Sequence, residues 1–357
     1  MLLELKMPDL ELAPARLRRC PRCKGVTHGH GRNKHRQVVD TQFREVEQRR
    51  FRCVGCGKTF QSRPGGLAKA ARRSDRVKAL GIILYVLGLS YRGTAKVMCK
   101  VAGKGSYATI YRDVERAGRK AAEFHQGLRG KVRAIGVDGT GQKTKGGNTG
   151  LVFAVDQDGQ LLLRVEVMEE ANEAQVKRFL KDLCRECGVE VVITDEHTSY
   201  KGAVEPLAVE HRLCEAHWKK SKVNRARRLL LRAKRRGREG AVKDLEQLQR
   251  YVRGWPDAEE EELKELWQKY VKYEAPSPGG RWSFGYEVRL LMQDVLENWN
   301  RVGQTNNTTE RLIGLLLKIR SKTMRGFQEP ENIKKFVYLT GYLWAHRKGC
   351  DLAALFN

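Results

Sequence analysis

No uninterrupted apolar run in these 357 residues approaches the ~20 needed to cross a bilayer, so no transmembrane helix and no membrane partner are expected. The opening residues, Met1-Leu-Leu-Glu-Leu-Lys-Met-Pro-Asp9, lack a charged start followed by a long apolar core, so no secretory signal is expected either. Acidic residues are scarce. Only 42 Asp and Glu face 69 Lys and Arg, leaving a formal net charge of +27 and a pI near 9.9. That imbalance implies a polyanionic partner, and nucleic acid is the commonest one. A basic protein of another kind, such as a ribosomal one, is the bland alternative. The length and the acids described below weigh against it. Internal repeats are lacking too. Hydrophobic residues, by contrast, make up 41% of the chain, which argues against wholesale disorder and leaves room for two or three domains.

Nine cysteines are present, and four lie early as Cys20-x-x-Cys23 and Cys53-x-x-Cys56. Two such knuckles about 30 residues apart can surround one tetrahedral Zn²⁺, a spacing that belongs to metal binding rather than to a disulfide framework. A reducing, cytoplasmic setting fits. Replacement of one cysteine by His28, His30 or His35 is the weaker option. No open-coordination arrangement is visible, so the zinc is expected to be structural. Cys184-x-x-Cys187 reads as a pair of buried thiols at a helix end.

Five segments follow from the pattern. Residues 1–67 form a basic zinc-knuckle β module that would grip DNA. Residues 68–126 read as helix, short helix, turn and basic helix, a helix-turn-helix pattern. In it Ser90 and Ser106 stand at N-caps, and Ser106, Tyr107, Thr109 and Arg112 are placed to reach base edges. Residues 130–217 alternate strands (132–138, 150–156, 161–167, 189–195) with a helix at about 172–186. Residues 218–300 are charged and helical, with a basic run at 225–238 and with Trp218, Trp282 and Trp299 as core residues or base-stacking platforms. Residues 301–357 close the chain with helices at 305–320 and 331–346.

Three acids carry the chemistry. Asp138 and Asp195 each close a strand-like run, and Glu310 lies early in a helix with Asn306 four residues before it on the same face. Two divalent ions about 4 Å apart need carboxylates on rigid elements of this kind. Rival acids are Asp294 and Glu297 for the third position and Asp156 and Asp158 for the first. Lys143 and Lys145 follow Asp138 closely and could hold a DNA strand.

The order Asp138, Asp195, Glu310 on an α/β segment resembles the ribonuclease-H-like catalytic domain of DDE transposases. Thr305-Asn-Asn-Thr-Thr-Glu310-Arg-Leu-Ile-Gly314, followed by Arg320-Ser-Lys-Thr-Met-Arg-Gly-Phe327, is similar to the Glu region of bacterial insertion-sequence transposases. Cys214-x-x-His217 is similar to the Cys-x-x-His motif of the Mutator-like branch, whose helical insertion residues 218–300 would match. The resemblance implies a ribonuclease-H-like mixed five-stranded sheet interrupted by that insertion. It further implies Asp138, Asp195 and Glu310 holding two Mg²⁺ or Mn²⁺ ions, with architectural roles for Cys214, His217 and Asn306. DNA contacts would come from Arg320, Lys322 and Arg325. The implied activity is metal-dependent cleavage and strand transfer at transposon terminal inverted repeats. The partners would be double-stranded transposon ends and target DNA, met by at least a homodimer in the cytoplasm at the nucleoid. A transposase-derived regulator without catalysis and a branched-DNA nuclease of the same fold are the alternatives.

Overall fold

The computed structural model describes all residues except 1–3, 14–18, 63, 69, 129, 131, 279, 304, 324–325 and 357. A two-residue strand, β1 (Leu5–Lys6), leads to an antiparallel sheet of β2 (Thr27–Gly29), β3 (Lys34–Gln37), β4 (Glu45–Cys53) and β5 (Thr59–Ser62). β4 pairs with the other three. The apolar cluster of this module has only Leu10, Val38, Val46 and Leu67 fully buried. That is too little to order the sheet unaided.

Three helices follow: α1 (Asp75–Val86), α2 (Tyr91–Ala102) and α3 (Tyr107–Gly127). The hydroxyls of Ser74 and Ser90 accept the amides of Val77 and Gly93, capping α1 and α2. Gly103, at φ +77, ends α2 in the left-handed conformation. Ser106 occupies the N-cap position of α3, but its side chain makes no capping hydrogen bond.

The central sheet contains β6 (Ala134–Thr144), β7 (Gly147–Asp156) and β8 (Leu161–Val167). Then come α4 (Glu173–Cys187), β9 (Val191–Thr194), α5 (Thr198–Val204) and β10 (Glu210–Leu213). The strand order is β10-β9-β6-β7-β8. β7 pairs antiparallel with β6 and with β8, whereas β9 runs parallel to β6 and β10 parallel to β9. This is a mixed five-stranded sheet. β6 outruns its expected end at 138. The stretch Gly139-Thr-Gly-Gln-Lys-Thr144 is polar and Gly-rich, so it reads as a loop. Its backbone nevertheless pairs with β7 as far as Thr144 opposite Gly147. Asp138 therefore lies mid-strand and does not end it.

β7 is buried on both faces, and its alternation sorts the two cores. Leu151, Phe153 and Val155 join α1–α3 and the C-terminal helices. Val152 and Ala154 join α4 and α5. Residues 68–126 thus share a core with the central sheet and do not form a separate one.

After β10 the chain leaves the sheet through α6 (Glu215–Arg235), α7 (Glu239–Gly254), α8 (Glu260–Gln268) and α9 (Phe284–Asn298). These helices bury their own core around Trp218, Leu248, Leu263, Leu291 and Trp299. The chain returns where Val302 bridges Leu213. The expected helix at 305–320 comprises α10 (Asn307–Ile313), a π-helical turn (Gly314–Lys318) and α11 (Ile319–Thr323). Last come α12 (Pro330–Ala345) and β11 (Cys350–Asp351), which pairs in parallel with β1. No helix among the described residues is long and apolar enough to cross a membrane.

Candidate active site and metal centres

Gly136 pairs with Ile193 in the parallel β6–β9 ladder. Two residues further along each strand stand Asp138 and Asp195, so the register sets the two carboxylates side by side. A third acid joins them that the sequence reading did not single out. Glu170 follows β8, and its carboxylate lies with those of Asp138 and Asp195 in a group whose oxygens are all within 4.8 Å of one another. Tyr200 on α5 donates its hydroxyl to Glu170 Oε1 at 2.6 Å, and Ser199 donates to the Glu170 carbonyl at 2.7 Å. A side chain at position 139 would collide with the Glu170 carboxylate, its Cβ falling 2.3 Å from an oxygen. The one signal in the sequence is the pairing of Gly139 with an acid shortly after a strand, too common to select Glu170.

Glu310 lies on the first turn of α10, near enough to Asp138 to act on its charge. Its carboxylate is 45% exposed and accepts from His217 Nε2 at 3.2 Å. The start of α10 is pinned to β6 by buried Asn306, whose side-chain amide donates to the Val137 carbonyl at 3.0 Å. The Asn306 backbone amide donates to the Cys214 sulfur at 3.2 Å. Gln157 adds bonds to Asn306 and Thr309. This approach needs glycine at 136, where a Cβ would lie about 2 Å from Gln157, Asn306 and Thr309. Cys214 and His217 therefore act on the helix that carries Glu310. Among the described residues neither belongs to a metal-ligand cluster.

Burial, with Glu170, Asp195 and Glu310 close by, pushes the Asp138 carboxyl up to about 7, and His217 offsets part of this. Crowded carboxylates in want of a cation behave this way. An aspartate titrates near ~3.9 in an unfolded chain. Its stabilising contribution is therefore complete below about pH 4 and is lost as pH rises through about 7. Without divalent metal, the melting temperature should fall over this window more steeply in the wild type than in Asp138→Asn, and saturating Mn²⁺ should erase the difference. Equal slopes in the two metal-free proteins would contradict this account.

The end of β9 is fixed by a relay. Arg301 donates to His211 Nδ1 at 2.7 Å, His211 Nε2 meets Thr194 Oγ1 at 2.9 Å, and Thr194 donates to the Asp195 carbonyl at 2.7 Å. Burial and the adjacent Arg301 and Lys201 hold His211 at about 4, so it stays neutral, as this chain of bonds requires. On the other side, Lys222 of α6 is 4% exposed and bridges Glu196 at 2.5 Å and Asp294 of α9 at 2.6 Å. Asp294 also receives Arg225 at 3.2 Å. Lys222→Met strands these carboxylates and should cost roughly 3 kcal/mol, read as a lower denaturation midpoint. An unchanged midpoint would show the bridge to be dispensable. The rival acids are engaged elsewhere: Glu297 accepts from Gln293, Asp156 caps the turn at Asp158, and Asp158 pairs with Arg133.

The second cluster comprises Cys20, Cys23, Cys53 and Cys56, whose sulfurs all lie within 4.8 Å of one another. The amide of Cys56 points at the Cys53 sulfur, as in a metal knuckle. The backbone amide of Cys23 leads the influences that lower the Cys20 thiol to about 6, and that of Cys56 lowers Cys53. A Cβ at Gly25 would sit 3.3 Å from two of the sulfurs. Four converging thiols with amide donors suit zinc, and the three carboxylates suit a hard divalent cation.

A family profile described as "Transposase, Mutator family" matches residues 58–342. The chain belongs to the Mutator family of transposases. No curated protein matches it. Similar solved structures include the Drosophila P element transposase strand transfer complex (11% identity, 78% of this chain and 93% of that chain covered, TM-score 0.37). The catalytic core domain of BIV integrase is another (16% identity, 46% and 97% covered, TM-score 0.21). A third is the catalytic domain of Mos1 mariner transposase (12% identity, 53% and 91% covered, TM-score 0.21).

In this transposase Tyr107 is 58% exposed at the start of α3, and Ser106 and Arg112 are exposed beside it. Thr109 is half-buried. Lys143 and Lys145 are exposed at the far end of the β6–β7 hairpin, and Lys322 is exposed on α11. Arg325 lies outside the described residues. Arg320 is only 2% exposed, donates to the Tyr85 carbonyl and lies 3.8 Å over the Tyr85 ring, so it is turned inward and is not part of an open basic surface. Trp218 and Trp299 pack edge to face in the insertion core, which removes them as stacking platforms, whereas Trp282 is 57% exposed.

Proposed function

We propose that this transposase cuts and joins DNA at transposon ends with two divalent ions, Mg²⁺ or Mn²⁺, held by Asp138, Asp195 and Glu310, with Glu170 as a further ligand. The observation that carries the reading is the convergence of Asp138, Glu170 and Asp195 within 4.8 Å beneath the helix bearing Glu310. Held by these carboxylates, the ions would supply activation of water, and then of a 3′-hydroxyl, for in-line displacement at phosphorus and stabilisation of the leaving oxygen. The chain itself supplies position. Tyr200 orients Glu170, and His217 holds the Glu310 carboxylate toward the cluster. The pinned start of α10 fixes how far Glu310 can reach.

The zinc module (1–67) and the helices of 68–126 act as the DNA-end reader in this proposal, with α3 as recognition helix. The Cys₄ cluster carries one structural zinc. Exposed Arg112, Arg116, Arg119 and Lys120 on α3 and Arg227, Arg228, Arg235 and Arg236 on α6 suit phosphate contacts. Residues 130–217 and 301–357 form the catalytic domain around the 218–300 insertion. Two ends must be joined together, so the active species is at least a dimer on DNA. Incubation with the element's own ends and Mg²⁺ should give end-specific nicking and strand transfer. Structure-specific cutting of branched DNA without strand transfer would favour the nuclease alternative, and binding without cutting the regulator.

A further inference from the structure

A cavity of about 640 Å³ lies between the starts of α2 and α3 and the segment that leads into α12. Its walls are aromatic: Tyr85, Tyr91, Tyr107, Tyr111 and Phe327. Tyr85 and Tyr91 stack at 4.5 Å and 9°, and Tyr111 meets Tyr91 edge-on at 5.4 Å. Arg320 lines the same cavity. Its guanidinium has no carboxylate partner among the described residues, and its Nε is buried without a hydrogen-bond acceptor. The guanidinium lies over the Tyr85, Phe336 and Phe327 rings and bonds the Tyr85 carbonyl, which leaves this one donor unmet.

We infer that this cavity receives a single unpaired nucleobase of a bound DNA strand, which stacks against Tyr91 and Tyr107 and accepts a hydrogen bond from Arg320. The inference rests on the DNA-cutting reading above. Three features favour a base over a phosphate. The walls are rich in aromatic rings, and the acid among them, Glu329, disfavours a phosphate. One spare buried donor matches a single base carbonyl or ring nitrogen, whereas a phosphate needs several donors. The free cation belongs to the rim, where the Arg92 guanidinium lies 5.9 Å from the centre of the exposed Tyr107 ring and can meet the backbone. The location also suits a strand that reaches the acids. The amide of Phe327 donates to the Lys143 carbonyl at 3.1 Å, and Lys143 is five residues along β6 from Asp138, about 17 Å.

The test uses two duplexes of one sequence, one fully paired and one carrying a single unpaired 2-aminopurine. The wild type should bind the bulged duplex about ten-fold more tightly and quench its emission. Asn332→Phe fills the cavity from α12 and should abolish both the preference and the quenching, with paired-duplex affinity within about two-fold of wild type. Gln328→Trp, on the exposed approach to the cavity, should do the same without touching a helix. Equal affinity for the two duplexes with unchanged emission would overturn the base pocket and leave DNA binding standing. A wild type that binds neither duplex would overturn the DNA reading and the pocket with it.

Discussion

Asp138→Asn is expected to lower end cleavage by on the order of 10³-fold while raising the stability of the metal-free protein at pH 7 and above. The two effects share a cause. Asp138 sits among Glu170, Asp195 and Glu310, and its carboxyl is held near 7 because burial and like charge oppose ionisation. The amide keeps the shape and removes the repulsion, so the folded state gains. It also removes an anionic ligand, so the cation is held less well. Asp195→Asn and Glu310→Gln should lose activity to a similar degree. Glu170→Gln should weaken Mn²⁺ binding, read by calorimetry without any DNA. All four variants should keep wild-type affinity for end DNA. If Asp138→Asn were less stable than wild type in chelator, the acids would be a structural network and not a site strained toward a metal. If Glu310→Gln stayed active while Glu297→Gln were dead, the third acid would be misassigned.

Removal of zinc should have the second large effect. The N-terminal sheet buries four apolar side chains in its own cluster, whereas its four cysteines converge on one point. Structural zinc contributes about 10–16 kcal/mol of apparent binding free energy in small domains of this kind. A chelator strong enough to strip it, or Cys20→Ser with Cys53→Ser, should melt β2–β5 and reduce end binding at least ~100-fold. The helices from α1 onward should remain folded, because their core lies against the central sheet. The two parts meet through a few contacts, apolar at Val39, which packs against the α1–α3 core, and otherwise polar. Arg44 donates to the Ala102 carbonyl at 3.1 Å, and Asp40 is paired with Ser74 and Arg76. Proteolysis of the zinc-free protein should therefore begin before residue 63 and stop near α1. Unchanged amide-exchange protection in β4 after chelation would show that the metal is not what orders the module.

Asp138 and Asp195 were legible because each follows an apolar run of strand length, and parallel pairing of two such runs sets their ends together. Glu310 was legible from its Asn-Asn-x-x-Glu setting. Glu170 was not, since it follows β8 as one of two consecutive acids on a segment with no periodic signal, and only folding brings β8 to α5. The long β6–β7 hairpin was missed because glycine and threonine at 139–144 look like a loop, although backbone pairing alone sustains the strands. The burial of Arg320 was not legible either: sequence shows its charge and the basic company of Lys322, but not that its side chain turns in over Tyr85. The packing of α1–α3 on the sheet was equally hidden, as amphipathic helices do not announce which surface they cover.

The bridge between Leu213 and Val302 has a further consequence. The chain departs from and rejoins the sheet at one spot, with the Gly303 amide donating to the Leu213 carbonyl at 3.1 Å. The helices between these residues form a closed excursion, and their length does not enter the geometry of the acids. An excursion anchored in this way can lengthen, shorten or be exchanged over evolutionary time while Glu310 stays in place. What must be kept is the doorway at 213 and 302, the start of α6 with His217 and Lys222, and the short span from Val302 to Asn306 that delivers α10 to β6.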